Sequence, residues 1–198
     1  MQQKIWQLSS HTQFKQLAEQ FTWVQDMYGV VQDKVYHAEG DVATHTDLVL
    51  KALENLPEYQ LLNLQDQNII WAAALMHDIE KRSTTVEENG IITFKDHSKL
   101  AEKTVRRILF SEVLTPYWIR EQICALVALH DLPLWFMEKQ NIKHSILQAA
   151  DRTPLKLLAM LAKANILGSS CQDSIEMLER IELFEQEAAN LGCLEHIY

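Results

Sequence analysis

The run Ile69–Met76, IIWAAALM, is apolar on every side of a helix. A helix without a polar face is stable only when other elements surround it. Residues 66–81, DQNIIWAAALMHDIEK, therefore predict a central buried helix, opened by Asp66 and closing on His77 and Asp78. Its neighbours are predicted to be helices too. Five glycines and four prolines in 198 residues leave few hairpin turns and few breakers.

Helical periodicity places those neighbours. Ser10 or Thr12 caps a first helix to about Met27, with Phe14, Leu17, Phe21 and Val24 on one face. Asp41 caps a helix through Leu56, and its stripe is Val42, Leu48, Val49 and Leu53. Further helices are expected at about 97–110 and 116–130, with a short one at 135–139. Others follow at 144–149, at 153–167 ending on Gly168 as a C-cap, and at 173–189. The apolar positions Ile175, Leu178, Ile181 and Leu183 of the last either close the core or face a partner. The good hairpin signal is Asn89-Gly90 between β-branched runs, which predicts a small exposed hairpin near 84–95. The expectation is an all-α bundle. No repeat, low-complexity tract or linker divides it, so residues 1–198 read as one domain.

Charge narrows the partners. A formal net charge of −9 disfavours a broad nucleic-acid-binding surface, yet a local site field can still hold one phosphate or a strand end. Lys99, Lys103, Arg106 and Arg107 share a helical face, which reads as a solvated stripe paired internally, for instance Glu102 with Arg106. Cys124, Cys171 and Cys193 form no CxxC pair, and Cys124 reads as a small buried hydrophobe. An odd cysteine count without a signal peptide points to the reducing cytoplasm. No apolar stretch reaches membrane-spanning length, so no membrane association is expected.

Histidines carry the chemistry. His45 sits within a helix, His77 and Asp78 end the most apolar one, His97 begins a helix and His130 ends another. A buried imidazole without a partner costs free energy, and a divalent cation removes that cost. Any one of these residues alone reads better as a structural histidine. Together, at helix ends beside polar loops, they read as a metal site. His11, His144 and His196 read as surface or terminal residues.

YHAEGDVATHTDLVL, WAAALMHDIEK, DHSKLAEKTVRRILF and ALHDLPLWF together resemble the HD-domain phosphohydrolases. The likeness runs from about Tyr36 to Gly168, with helical extensions on either side. It is greatest to the HD domains attached to bacterial CCA-adding enzymes and to RNA end-healing polynucleotide kinase-phosphatases. The resemblance implies an HD-type bundle with His45, His77 and Asp78 as metal ligands. His97 and His130 would complete a second metal site or hold the phosphate. The family's closing aspartate falls on Asn165 of AKANILG, a neutral oxygen in place of an anion. Two other departures are Glu80 in HDIEK and Asp131 after His130. Asp131 is either a helper at the metal or an ordinary helix-end residue.

The implied reaction is metal-dependent phosphate-ester hydrolysis. Asp78 would bridge cation and water and take a proton, and His97 and His130 would serve catalysis. Lys81 is either a phosphate ligand or a solvated lysine at a helix C-terminus. His37 or Glu39 would support the first ligand, and Trp135-Phe136 would wall the pocket or pack in the core. The cofactor is a divalent transition metal ion, with Mn, Fe, Co, Ni and Zn all suited. The substrate is a phosphorylated small molecule, chiefly a nucleotide, or an RNA 3′ end, including 2′,3′-cyclic phosphate. The alternative is a catalytically weakened HD-fold binding or regulatory protein, on account of Asn165.

Overall fold

A computed structural model describes residues 5–33, 37–170 and 173–194. Tyr36, Cys171 and His196 lie outside the described residues. The predicted central helix is α5, Leu64–Met76, whose residues from Ile69 to Met76 are all buried. Its cap is Asn63, which accepts from the Asp66 N–H, so Asp66 sits in the first turn and does not open the helix. Asn precedes Leu64 with extended backbone, the geometry a cap needs.

Before α5, the predicted N-terminal helix is broken into α1 (Phe14–Gln20) and α2 (Thr22–Gln25). Neither Ser10 nor Thr12 caps it; Gln13 precedes α1 without a side-chain cap. The break falls at Phe21, which is extended, and its ring stacks on Trp23 at 4.9 Å. Phe21-Thr22-Trp23-Val24 is a string of weak helix formers, so that aromatic contact wins over helix continuity. Helix α3, Val42–Asn55, opens as expected, with Asp41 accepting from the Thr44 N–H at 2.8 Å. Pro57 starts the short α4, Pro57–Gln60.

After α5 come α6 (Lys81–Thr84) and the expected hairpin, β1 (Val86–Glu88) paired antiparallel with β2 (Ile91–Thr93). Asn89 and Gly90 turn it, both at positive φ. Helices α7 (His97–Ser111), α8 (Tyr117–Leu129), α9 (Leu132–Trp135), α10 (Ile142–Ala150), α11 (Leu155–Leu167) and α12 (Ser174–Asn190) complete the order. Phe136–Glu138 is a 3₁₀ turn, which gives the predicted 135–139 segment a tighter form.

Helix α5 packs on α3, α8 and α11, while α7 covers α8 and α12 lies across α11 and α9. One contiguous apolar core runs through these contacts. The chain is thus an all-α bundle with a small hairpin. The last helix turns Met177, Ile181, Phe184 and Ala188 inward with Leu178 packed against the core, while Ile175 and Leu183 face solvent, so it closes the core with two of the four predicted positions. Cys124 and Cys193 are buried and unpaired. Among the described residues no helix is long and apolar enough to cross a membrane.

Candidate metal centre

Four helices, α5 among them, deliver polar side chains to one point. His45 comes from α3, His77 and Asp78 from the end of α5, His97 from the start of α7 and His130 from the end of α8. Helix C-termini leave carbonyls without intrahelical partners, and two of these histidines use them. His77 Nδ1 meets the Ala74 carbonyl and His130 Nδ1 the Val127 carbonyl, each at 2.7 Å. His97 Nδ1 meets the Phe94 carbonyl at 2.9 Å. A carbonyl only accepts, so each of these nitrogens carries the proton and each neutral ring turns a lone pair on Nε2 inward.

Asp78 stands among those lone pairs. Its Oδ2 lies 3.2 Å from His77 Nε2 and 3.6 Å from His45 Nε2. Its Oδ1 lies 3.3 Å from His97 Nε2 and 3.8 Å from His130 Nε2. The His97 and His130 Nε2 atoms are only 3.4 Å apart. Buried polar atoms are nearly always hydrogen-bonded, yet His45 Nε2, His77 Nε2 and Asp78 Oδ1 form no hydrogen bond, and Asp78 Oδ2 has the Lys81 ammonium as its ion-pair partner. Imidazole nitrogens and carboxylate oxygens left in this way are the donor set of a divalent transition metal site. His45, His77 and Asp78 form one potential ligand group, and Asp78, His97 and His130 a second. The residues present fit the cation the sequence implied.

Protonation follows the surroundings. Burial pushes His45 down to about 4, with the Lys81 charge acting in the same sense against the Glu39 contact. Burial also lowers His130. Burial opposes charge on Asp78 and on His97, but their partners prevail. His77 and the Lys81 ammonium beside it hold Asp78 well below the carboxylate range, and Asp78 with Asp131 raises His97.

Around the cluster lies a supporting ring. Glu39 Oε1 sits 2.7 Å from His45 Nδ1 and 3.0 Å from His37 Nδ1, and Glu39 Oε2 accepts from the Ser170 N–H. Glu39 is therefore the second-layer partner of His45, as its sequence position suggested, and Asp41 is the helix cap. Lys81 is not solvated. It is 3 % exposed, and its ammonium reaches Gln32 Oε1 at 2.8 Å, Asp78 Oδ2 at 2.8 Å and His37 Nε2 at 3.3 Å, with the Phe94 ring 4.5 Å away. Burial is what the sequence could not show, because a lysine after a helix end usually meets water.

A cavity of about 170 Å³ opens beside Asp78, Lys81, His97 and His130, and Asp131 and Asn165 also line it. Asn165 projects from α11 with its Oδ1 buried and unbonded, and it stands at the cavity wall. Trp135 walls the same cavity, whereas Phe136 packs in the core against Phe184. Phe94, Leu134, Ile166 and Met177 supply apolar wall that sequence reasoning missed. Met177 lies a hundred residues beyond the His-Asp pair with no local signal. Glu80 does not face the cavity: its carboxylate takes Ser83 Oγ and approaches Arg82. His11 and His144 are exposed and apart from the cluster. On the basic face of α7, Arg106 pairs with Glu102 and Glu121, and Lys99 with Asp96.

A family model described as HD domain matches residues 42–154, more than half of the chain. The span carries His45, His77, Asp78, His97 and His130, and Asn165 lies beyond it. No curated protein matches the chain significantly.

Proposed function

The chain belongs to the HD-domain family, whose members are typically metal-dependent phosphohydrolases, and from that premise we propose that it hydrolyses a phosphate ester of a nucleotide or of an RNA 3′ end, including 2′,3′-cyclic phosphate. The observation that carries this reading is the convergence of four buried or half-buried Nε2 atoms on Asp78, with His45 Nε2, His77 Nε2 and Asp78 Oδ1 lacking a hydrogen bond. The RNA-end part rests on the likeness of HAEGDVATHT and HDLPLWF to the CCA-adding and end-healing branch. The chain is read as one domain, acting in the cytoplasm.

His45, His77 and Asp78 would hold one cation, and Asp78, His97 and His130 another, with Asn165 closing the cavity. A bound divalent cation supplies Lewis acidity toward phosphoryl oxygens and water. Asp78 stays ionised because its pKa is held so low, so it serves to grip cations and stores protons poorly. His97 and His130 line the cavity, where their Nε2 atoms would hold the cation or the phosphate. Lys81 brings positive charge to the same wall while orienting Asp78. The apolar walls exclude water around the ester.

The test is hydrolysis of p-nitrophenyl phosphate and 2′,3′-cyclic nucleotides by chelator-stripped protein, before and after adding Mn²⁺, Co²⁺ or Ni²⁺. Turnover is expected only with metal. Folded protein that stays inert with every metal would leave the second reading, a weakened HD-fold binding or regulatory protein, which the neutral amide of Asn165 favours. Asn165→Asp adds an anion at the cavity wall, and metal affinity measured calorimetrically should rise about tenfold, or about 1.4 kcal/mol. An unchanged affinity would remove residue 165 from the ligand set.

A further inference from the structure

We infer that the tight cation site lies on one side of Asp78, built by Asp78 Oδ1, His97, His130 and Asp131, with Asp131 as a direct ligand. This rests on the metal reading of the cluster and says which half of it binds first.

The two halves are not equivalent. On the Oδ2 side, His45 and His77 are fully buried and do not reach the cavity. The Lys81 ammonium already lies 2.8 Å from that oxygen, anchored from behind by Gln32 and His37. A cation there meets one carboxylate that is shared with a fixed positive charge. Glu39 strengthens His45 as a donor, but from the far nitrogen of the ring.

On the Oδ1 side the balance is reversed. Asp131 Oδ1 lies 3.3 Å from His130 Nε2, and Asp131 Oδ2 lies 3.8 Å from His97 Nε2. Two carboxylates therefore flank those two imidazoles. Among the described residues no lysine or arginine pairs with Asp131. Asp131 also precedes α9 without capping it through its side chain, so helix capping does not account for its orientation. Asp78, His97 and His130 have ligand atoms within 4.8 Å of one another, and Asp131 beside the two imidazoles would supply the fourth ligand of a shell. Asp131, His97 and His130 all line the cavity, so an ion can enter there.

The experiment is calorimetric titration of chelator-stripped protein with Co²⁺. Asp131→Asn, isosteric and half-exposed, should weaken the tightest event at least about tenfold, as losing an anionic ligand requires. His45→Ala should change it less than about threefold. Equal affinity in Asp131→Asn and wild type overturns the assignment, and so does loss of the tight event in His45→Ala with Asp131→Asn unaffected. If His45→Ala does not fold, anomalous scattering from one Co²⁺ per wild-type chain decides instead. A peak within bonding reach of Asp131 supports the site, and a peak between His45 and His77 rejects it. Wild-type protein that takes up no Co²⁺ is a separate result, which removes the metal reading itself.

Discussion

Asp78→Asn is expected to lower metal-supported turnover by about 10³-fold or more, which is about 4 kcal/mol of transition-state stabilisation. Both proposed cation positions use this one carboxylate, through Oδ2 on one side and Oδ1 on the other. An amide keeps the shape but gives up the charge and turns one oxygen into a donor. The same change has a structural cost that must be separated from the catalytic one. Lys81 is buried beside Asp78, and removing one member of a buried ion pair costs about 3 kcal/mol because the other charge is left uncompensated. Urea unfolding of the metal-free variant should show that loss. Adding Lys81→Met should recover most of the stability while activity on p-nitrophenyl phosphate stays abolished. A single variant that kept turnover within about tenfold of wild type would remove Asp78 from the chemistry, and the two-sided centre with it.

The His-Asp cluster was legible in sequence because its residues break local rules. Histidine at the end of an apolar helix needs a reason, and both His77 and His130 sit there with Nδ1 on the carbonyl three residues back. Asp41 and the Asn89-Gly90 turn were legible because capping and hairpin geometry are local. What failed to show was set by distant partners. Phe21 interrupts a helix through its stacking on Trp23, and Asn63 displaces Asp66 as the cap of α5. Lys81 is buried only because Gln32 and His37, some forty-five residues earlier, fold back over it. The inward stripe of α12 depends on how that helix rolls across α11, which periodicity alone leaves open by one position.

Gly168 shows the same division, and it carries the second large expectation. Glycine after a helix suggests a left-handed C-cap, but here its φ is −84°, a value any residue adopts. The absence of a side chain matters for another reason. A Cβ at residue 168 would fall 2.6 Å from the Val49 backbone nitrogen and 2.7 Å from its Cα. Backbone cannot swing aside as a flexible side chain does, so α3 and α11 would have to part. Gly168→Ala is therefore expected to cost about 3 kcal/mol in denaturant unfolding, at the upper end of ordinary overpacking. Gly192→Ala is the matched control: its φ is +71° but a Cβ there meets nothing within 4 Å, so it should cost only about 1 kcal/mol of backbone strain. The larger loss at the position with ordinary φ would identify helix contact, not conformation, as the constraint. Because α3 carries His45 and α11 carries Asn165, the same displacement should weaken metal binding in whatever fraction remains folded. Equal costs at the two glycines would mean that the α3–α11 contact yields, and that nothing in the spacing of these helices fixes the centre between them.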